Sequence, residues 1–536
     1  MQPQPVTSNE RKPVSLYQRL EERILARDSV GASEVYYDLL RAGRPLTELI
    51  AEGVRIHAPI THVPYHERID NGFVNFVPND HCLLSARIAL HMSKLLPPEL
   101  SGLPYAHTVW YMPTALDIWN QRILKAPGHH AARKPGWTPP PGPPPAPEIW
   151  WSDQQPVILD GTLRERLDKW MQLVHRGQVV DAYRVFLGLM QNPDERREVL
   201  AEAVFAGLID VQDRALYNRS YTTGHKAFRA RAMVELGDAL GWDNAHDVVY
   251  AAALDIAVGP RWYSSYEMAG NIITVFIEKD SIHAMPYEGT TEKERALLLN
   301  TELLTVENSQ KLLHALIREP EPNYIPLLAD LLLAGKSPRN CLDIIQLGAA
   351  QLILETAGST NFSLPQHCSD YLNTFAWFWD NFDHPQRIKL LFTAASYLNR
   401  AAWHQHHLGD AAASTLEVPA AAAKMSGTDL LQQIEAAVLE LNGPMAVAWT
   451  RAYLNNGGDR DKLVQQLALF ACWMGNDPHN QEIGHTLLED YQNNRSWDRE
   501  RFLLAQVHHT ATMRKYGDAL DCARRFGRAM GVTTVQ

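Results

Sequence analysis

From Thr162 almost to the C-terminus, apolar side chains recur at helical intervals, and this one period confines most of the chain to helices packed on helices. In TLRERLDKWMQLVHRG, Leu163, Leu167, Trp170 and Val174 share a face. Thr162 followed by Glu165 is a capping-box start, and Gly177 is a stop signal. Glu294 to Ile317, ERALLLNTELLTVENSQKLLHALI, predicts one further long helix. Other helices are expected over 323–334, 341–357, 367–380, 385–403, 428–441, 459–474 and 498–527, joined by turns such as AGKSPRN and NNGGDRD. Strand-like alternation is rare. Asn271 to Ile277, NIITVFI, is the best strand candidate and equally reads as the start of a buried helix. No fixed-period repeat is present, so a solenoid lacks its signature. The expected fold is all-α or nearly so, a large multi-helix globular assembly around a central cavity.

One segment breaks the period. Lys134 to Pro147, KPGWTPPPGPPPAP, has too few backbone donors and too rigid a φ for helix or central strand. It reads as an extended crossing. The chain then divides into an N-terminal helical segment, 1–133, that contributes to the core, a proline-rich linker or strap, 134–150, and a main helical body, 151–536. The first helix begins near Leu16, and the Ala-rich stretch from Ala411 to Met425, broken by Pro419, reads as a loop with helical fragments.

Composition narrows the function classes. Hydrophobic residues make up 46% and charged residues 21%, enough for a sizeable core. The net charge is −11 with no Lys/Arg cluster, which argues against nucleic acid as a partner. No apolar run approaches a membrane span, and the N-terminus lacks a signal-type apolar stretch. Cys82, Cys341, Cys368, Cys472 and Cys522 are scattered, without a CxxC, which fits thiols in a reducing compartment and a cytoplasmic protein. There is no GxGxxG, no P-loop, no GxSxG and no HExxH, so no flavin or nucleotide motif is present. Glu482 and His485 give a single Glu-x-x-His match where a di-iron bundle needs two. Redox chemistry would therefore fall to a metal or to the substrate itself.

The 22 histidines are roughly twice the usual share, and neutral imidazole is the commonest metal ligand. His81 in NFVPNDHCLLSARIAL, His225 in YTTGHKAFRARAMVEL and His367 in SLPQHCSDYLNTFAWFW each stand at a helix start. Three helices could point these imidazoles into one place, although a histidine in such surroundings is more often a hydrogen-bonded core or cap residue. His57, His62 and His66 lie in RIHAPITHVPYHER, where Pro59 and Pro64 argue against a regular helix; a loop could present one or two of them. His404, His406 and His407 read as a helix C-terminus, and His129-His130 and His508-His509 as exposed pairs. Trp377, Phe378 and Trp379, with Tyr371 and Phe375, and Trp262, Tyr263 and Tyr266 either line a pocket for a flat ligand or pack the core.

Three segments together resemble the questin oxidase family. They are NFVPNDHCLLSARIALH (75–91), GHKAFRARAMVELGDALGWDNAHDVVYAAALDIAV (224–258), and the stretch from Leu364 to Ala401 containing QHCSDYLNTFAWFWDNFDHPQRIKLLFTAASYLNRA. The resemblance implies a helical enzyme that oxidises polycyclic aromatic compounds, anthraquinones among them, with ring opening. In at least one branch histidines and a carboxylated lysine hold a non-haem iron. Carried over, it implies His81, His225 and His367 as Fe(II) ligands and Lys389 as the carboxylated lysine, which must be buried to lose its proton. It also implies O2 and an aromatic small molecule as substrates, with Tyr221, Asp370 or Tyr371 moving a proton or orienting an imidazole. The family's further histidine falls here near Val258-Gly259-Pro260, where none stands; Asp255, His246, His62 or His66 would have to replace it. A metal-free helical ligand-binding or scaffold protein, and a cofactor-free or NADPH-linked oxidase, stay open as alternatives. Oligomeric state is not legible.

Overall fold

A computed structural model describes residues 15–61, 65–69, 72–76, 81–117, 154–211, 223–257, 263–281, 289–356, 364–407, 416–475, 479–512 and 518–533. The proline-rich stretch, Trp262 and His129-His130 lie outside the described residues. Among those residues stand 23 α-helices and one two-stranded antiparallel hairpin, Tyr65–Ile69 with Gly72–Phe76. The fold is all-α apart from that hairpin. No helix among the described residues is long and apolar enough to cross a membrane.

Local signals set the helix ends. The Leu163–His175 helix begins at Thr162, whose side chain accepts from Glu165 N while Glu165 reaches back to Thr162 N. The expected long helix over 294–317 is instead two, Glu292–Leu297 and Val306–Arg318. Distant contacts hold the break open. Asn300 Nδ2 donates to Leu332 O at 2.7 Å, and Leu304 N donates to Asn340 Oδ1 at 2.8 Å. Thr305 then caps the new helix through Asn308 N. Residues 271–277 are helical, the Ser264–Ile272 helix running into a π-helical turn over Ile273–Ile277. The Leu46–Thr61 helix carries through His57 and Pro59, where a loop was expected.

One apolar core runs through the molecule, from Leu20 to Phe526. The N-terminal helices belong to it. Tyr36 Oη donates to Gly102 O (2.8 Å), the His107 ring contacts Cys472 O (2.7 Å) and Gln481 Nε2 donates to Pro104 O (2.9 Å). The His225–Leu240 helix is buried on almost all sides, which forces its cations to find partners. Lys226 pairs with Asp210, Arg229 with Asp255 at 2.6 Å, and Arg231 with Glu489 at 2.6 Å. Each partner comes from a different neighbouring segment, so the pairs fix this helix against three others.

Candidate metal centre

Three helix starts come together around His225. His81 opens the His81–Leu95 helix, His225 opens His225–Leu240, and His367 lies in the first turn of Leu364–Asn381. The His225 ring contacts both others, with centroids 5.4 Å from His81 at 90° and 5.1 Å from His367 at 45°. The chain enters the His225 helix through Gly224 at φ +118°, and a Cβ there would meet Phe228 Cζ at 2.7 Å. Glycine is required at that entry. The preceding Thr223 is fixed by Tyr397, whose hydroxyl donates to Thr223 O at 3.0 Å.

Carboxylates complete the surroundings. Glu482, on the His479–Asn493 helix, holds His81 Nδ1 at 2.9 Å through Oε2. Such a contact fixes the ring's orientation. Asp370, one turn beyond His367, accepts from Thr486 Oγ1 at 2.6 Å. Burial pushes the Asp370 carboxyl up to about 7, against the lowering effect of the Thr486 bond and of Arg87 and His81. Glu482 and Thr486 are site residues that the sequence reading did not single out. Glu482 surfaced only as half of the lone Glu-x-x-His pair. Beside them is a small cavity of about 20 Å³, lined by Leu84, Arg87, Ile88, Phe228, Asp370, Asn373, Thr374, Glu482 and Thr486. That is room for about one water molecule.

The donor set fits a non-haem metal in kind. Imidazoles with a carboxylate suit divalent iron. A first-row metal holds an imidazole nitrogen at about 2.1 Å, which puts the centroids of two ligands on one ion roughly 4.5–5.3 Å apart. The 5.1 Å spacing falls inside that range and the 5.4 Å spacing just beyond it. Among the described residues, however, no three His, Cys, Asp or Glu side chains are drawn together as tightly as a bound ion requires.

The other candidates are placed as follows. Lys389 is buried, as a carboxylated lysine would need, but its ammonium sits 3.5 Å from Glu294 Oε2 and donates to Gly289 O. Burial lowers its pKa, opposed by Glu294. Its helix touches the His225 entry at Tyr397, eight residues on, a span of about 12 Å. Lys389 therefore keeps company with a carboxylate and not with the imidazoles. Tyr371 donates its hydroxyl to Leu208 O at 2.8 Å, and burial raises its pKa. It anchors two helices. Asp255 is committed to Arg229. Tyr221 and His62 lie outside the described residues, as do the side chains of His66 and His246; the His66 backbone pairs with Asn75 in the hairpin.

One further reading changes and one holds. His508 and His509 are buried, not exposed, because their helix Arg501–Thr512 is enclosed by neighbours; the His508 ring contacts Thr356 O at 3.0 Å. His406 pairs with Glu355 at 2.7 Å, and His407 bonds back to Trp403 O, which is helix-end chemistry. Phe375, Phe378 and Trp379 pack the core, and Trp377 lies under the Arg231 guanidinium at 4.9 Å.

No family model, curated protein or solved structure matches the chain. The likeness to questin oxidases stands on its three segments.

Proposed function

We propose that this chain is an oxygenase that acts on a polycyclic aromatic or quinone-like small molecule at a mononuclear non-haem metal held by His81, His225 and His367. The observation that carries the reading is the meeting of three imidazoles from three separate helix starts, 5.1 and 5.4 Å between adjacent rings. Iron(II) held by such a set would bind O2 and ease its spin-forbidden reaction with a closed-shell ring, the ring itself being the reductant. Glu482 orients His81 for binding. Asp370, with its carboxyl near 7, holds or releases a proton beside the imidazoles at physiological pH. The five cysteines are all buried, with no disulfide among them, which supports a cytoplasmic setting.

The test is anaerobic titration of tag-free protein with Fe(II), followed by O2 uptake with a hydroxyanthraquinone. We expect saturation near one iron per chain and substrate-dependent uptake. Activity should turn over near pH 7, and Asp370→Asn should remove that inflection. Iron-loaded, folded protein that consumes no O2 with any fused-ring substrate contradicts the reading. The metal-free ligand-binding alternative predicts no saturable Fe(II) binding at all.

A further inference from the structure

The cavity beside Asp370 and Glu482 holds only about 20 Å³, but a much larger one lies at the Arg196–Ile209 helix. It has a volume of about 590 Å³ and lies between the helices Leu163–His175, Arg196–Ile209 and Ser264–Ile272 and the residues that lead into Arg387–His407. That size suits a small organic ligand. Its apolar wall is Met171, Phe205 and Ile209. Phe205 is held rigid, stacked on His384 at 4.2 Å and met edge-on by Tyr266 at 5.8 Å. A fixed aromatic wall of this kind favours a flat ring laid against it.

The polar side is equally fixed. Buried Glu202 is clamped by Arg164 at 3.0 Å and faces His384 at 3.5 Å. Burial would raise this carboxyl, but His384 and Arg164 hold it at about 2. Arg164 also reaches Asp168 at 2.5 Å, so its charge is neutralised. Tyr266 donates to Gln386 Oε1, which turns the Gln386 amide N–H groups towards other acceptors. Arg176 lines the cavity without a carboxylate partner among the described residues. A flat ligand with one anionic group meets both demands.

The chain on either side of the cavity residue Ile209 is tied to the helices that carry His367 and His225. The preceding Leu208 O takes the Tyr371 hydroxyl of the His367 helix, and the following Asp210 pairs with Lys226, next to His225.

We infer that this cavity is the substrate chamber, binding a fused-ring compound with its rings on Met171, Phe205 and Ile209 and its anionic group at Arg176. The link to oxidation rests on the proposed function; the binding does not. The experiment is equilibrium dialysis of the full chain, stripped of metal by a chelator, against anthraquinone-2-sulfonate. The parent should bind saturably. Ile209→Trp, which enlarges a residue of the apolar wall, should weaken binding at least tenfold, and Arg176→Glu, on an exposed side chain, several-fold. If Ile209→Trp fails to fold by circular dichroism, Met171→Trp and Arg176→Glu carry the test. No saturable binding by the parent, or equal affinity in every folded variant, overturns the inference. Binding by a protein that takes up no iron leaves the chamber standing and removes the oxygenase reading. Iron uptake without probe binding does the reverse.

Discussion

Glu482 is the residue on which the His81 imidazole depends, since its carboxylate is 2.9 Å from Nδ1. Outer-shell partners of this kind typically change metal affinity by about 10–100-fold. Glu482→Gln should therefore weaken Fe(II) binding by about that factor while the fold persists, as read by competition with a calibrated chelator. A second residue-scale consequence concerns acid. Burial lowers His57, His485 and His509 to about 3 each, from an unfolded value near 6.5. Between those values the unfolded chain binds more protons than the native one. Stability is thus complete above pH 6.5 and is lost as pH falls towards 3. Urea unfolding at pH 7.5 and pH 5.0 should show that loss, and His509→Leu should flatten the slope by one proton. The three clustering histidines were legible because each begins a helix, a local signal. Glu482 was not, because its partner His81 lies 401 residues away in sequence. Likewise, nothing near His508-His509 in the sequence reports that both rings face other helices.

At the scale of elements, the His225–Leu240 helix is the part whose position matters most. It carries His225 and meets its neighbours through buried ion pairs. Removing one partner of such a pair leaves an uncompensated charge and costs about 3–5 kcal/mol, whereas replacing both by apolar residues is often neutral. Arg229→Met should be destabilised by about that amount, and Arg229→Met with Asp255→Leu should regain most of it, measured by denaturant unfolding. Contact between this helix and Arg196–Ile209 also needs Gly207, where a Cβ would fall 2.8 Å from Ala227 Cα. Helix starts were readable wherever the cap is local, as at Thr162 with Glu165. The break between Glu292–Leu297 and Val306–Arg318 was not, because Asn300 and Leu304 are held by Leu332 and Asn340. Apolar spacing alone runs straight through that break.

For the whole molecule, the all-helical class followed from the period of the apolar residues, but the arrangement of helices did not. The placement of the N-terminal segment is the clearest case. Its helices enter the common core, supply His81, and hold the C-terminal helices through His107 and Gln481. A chain beginning at residue 151 exposes that surface, so we expect it to lose cooperative thermal unfolding, as followed by circular dichroism. Retention of a sharp transition would show that the main body folds alone. The central claim is that three imidazoles from three helices share one iron. Elemental analysis of freshly purified, tag-free protein beside His225→Ala tests it most directly, because His225 contacts both other rings. The account predicts near-stoichiometric iron in the parent and its loss in the variant. A folded parent that holds no transition metal, and takes up none on anaerobic incubation with Fe(II), would contradict it.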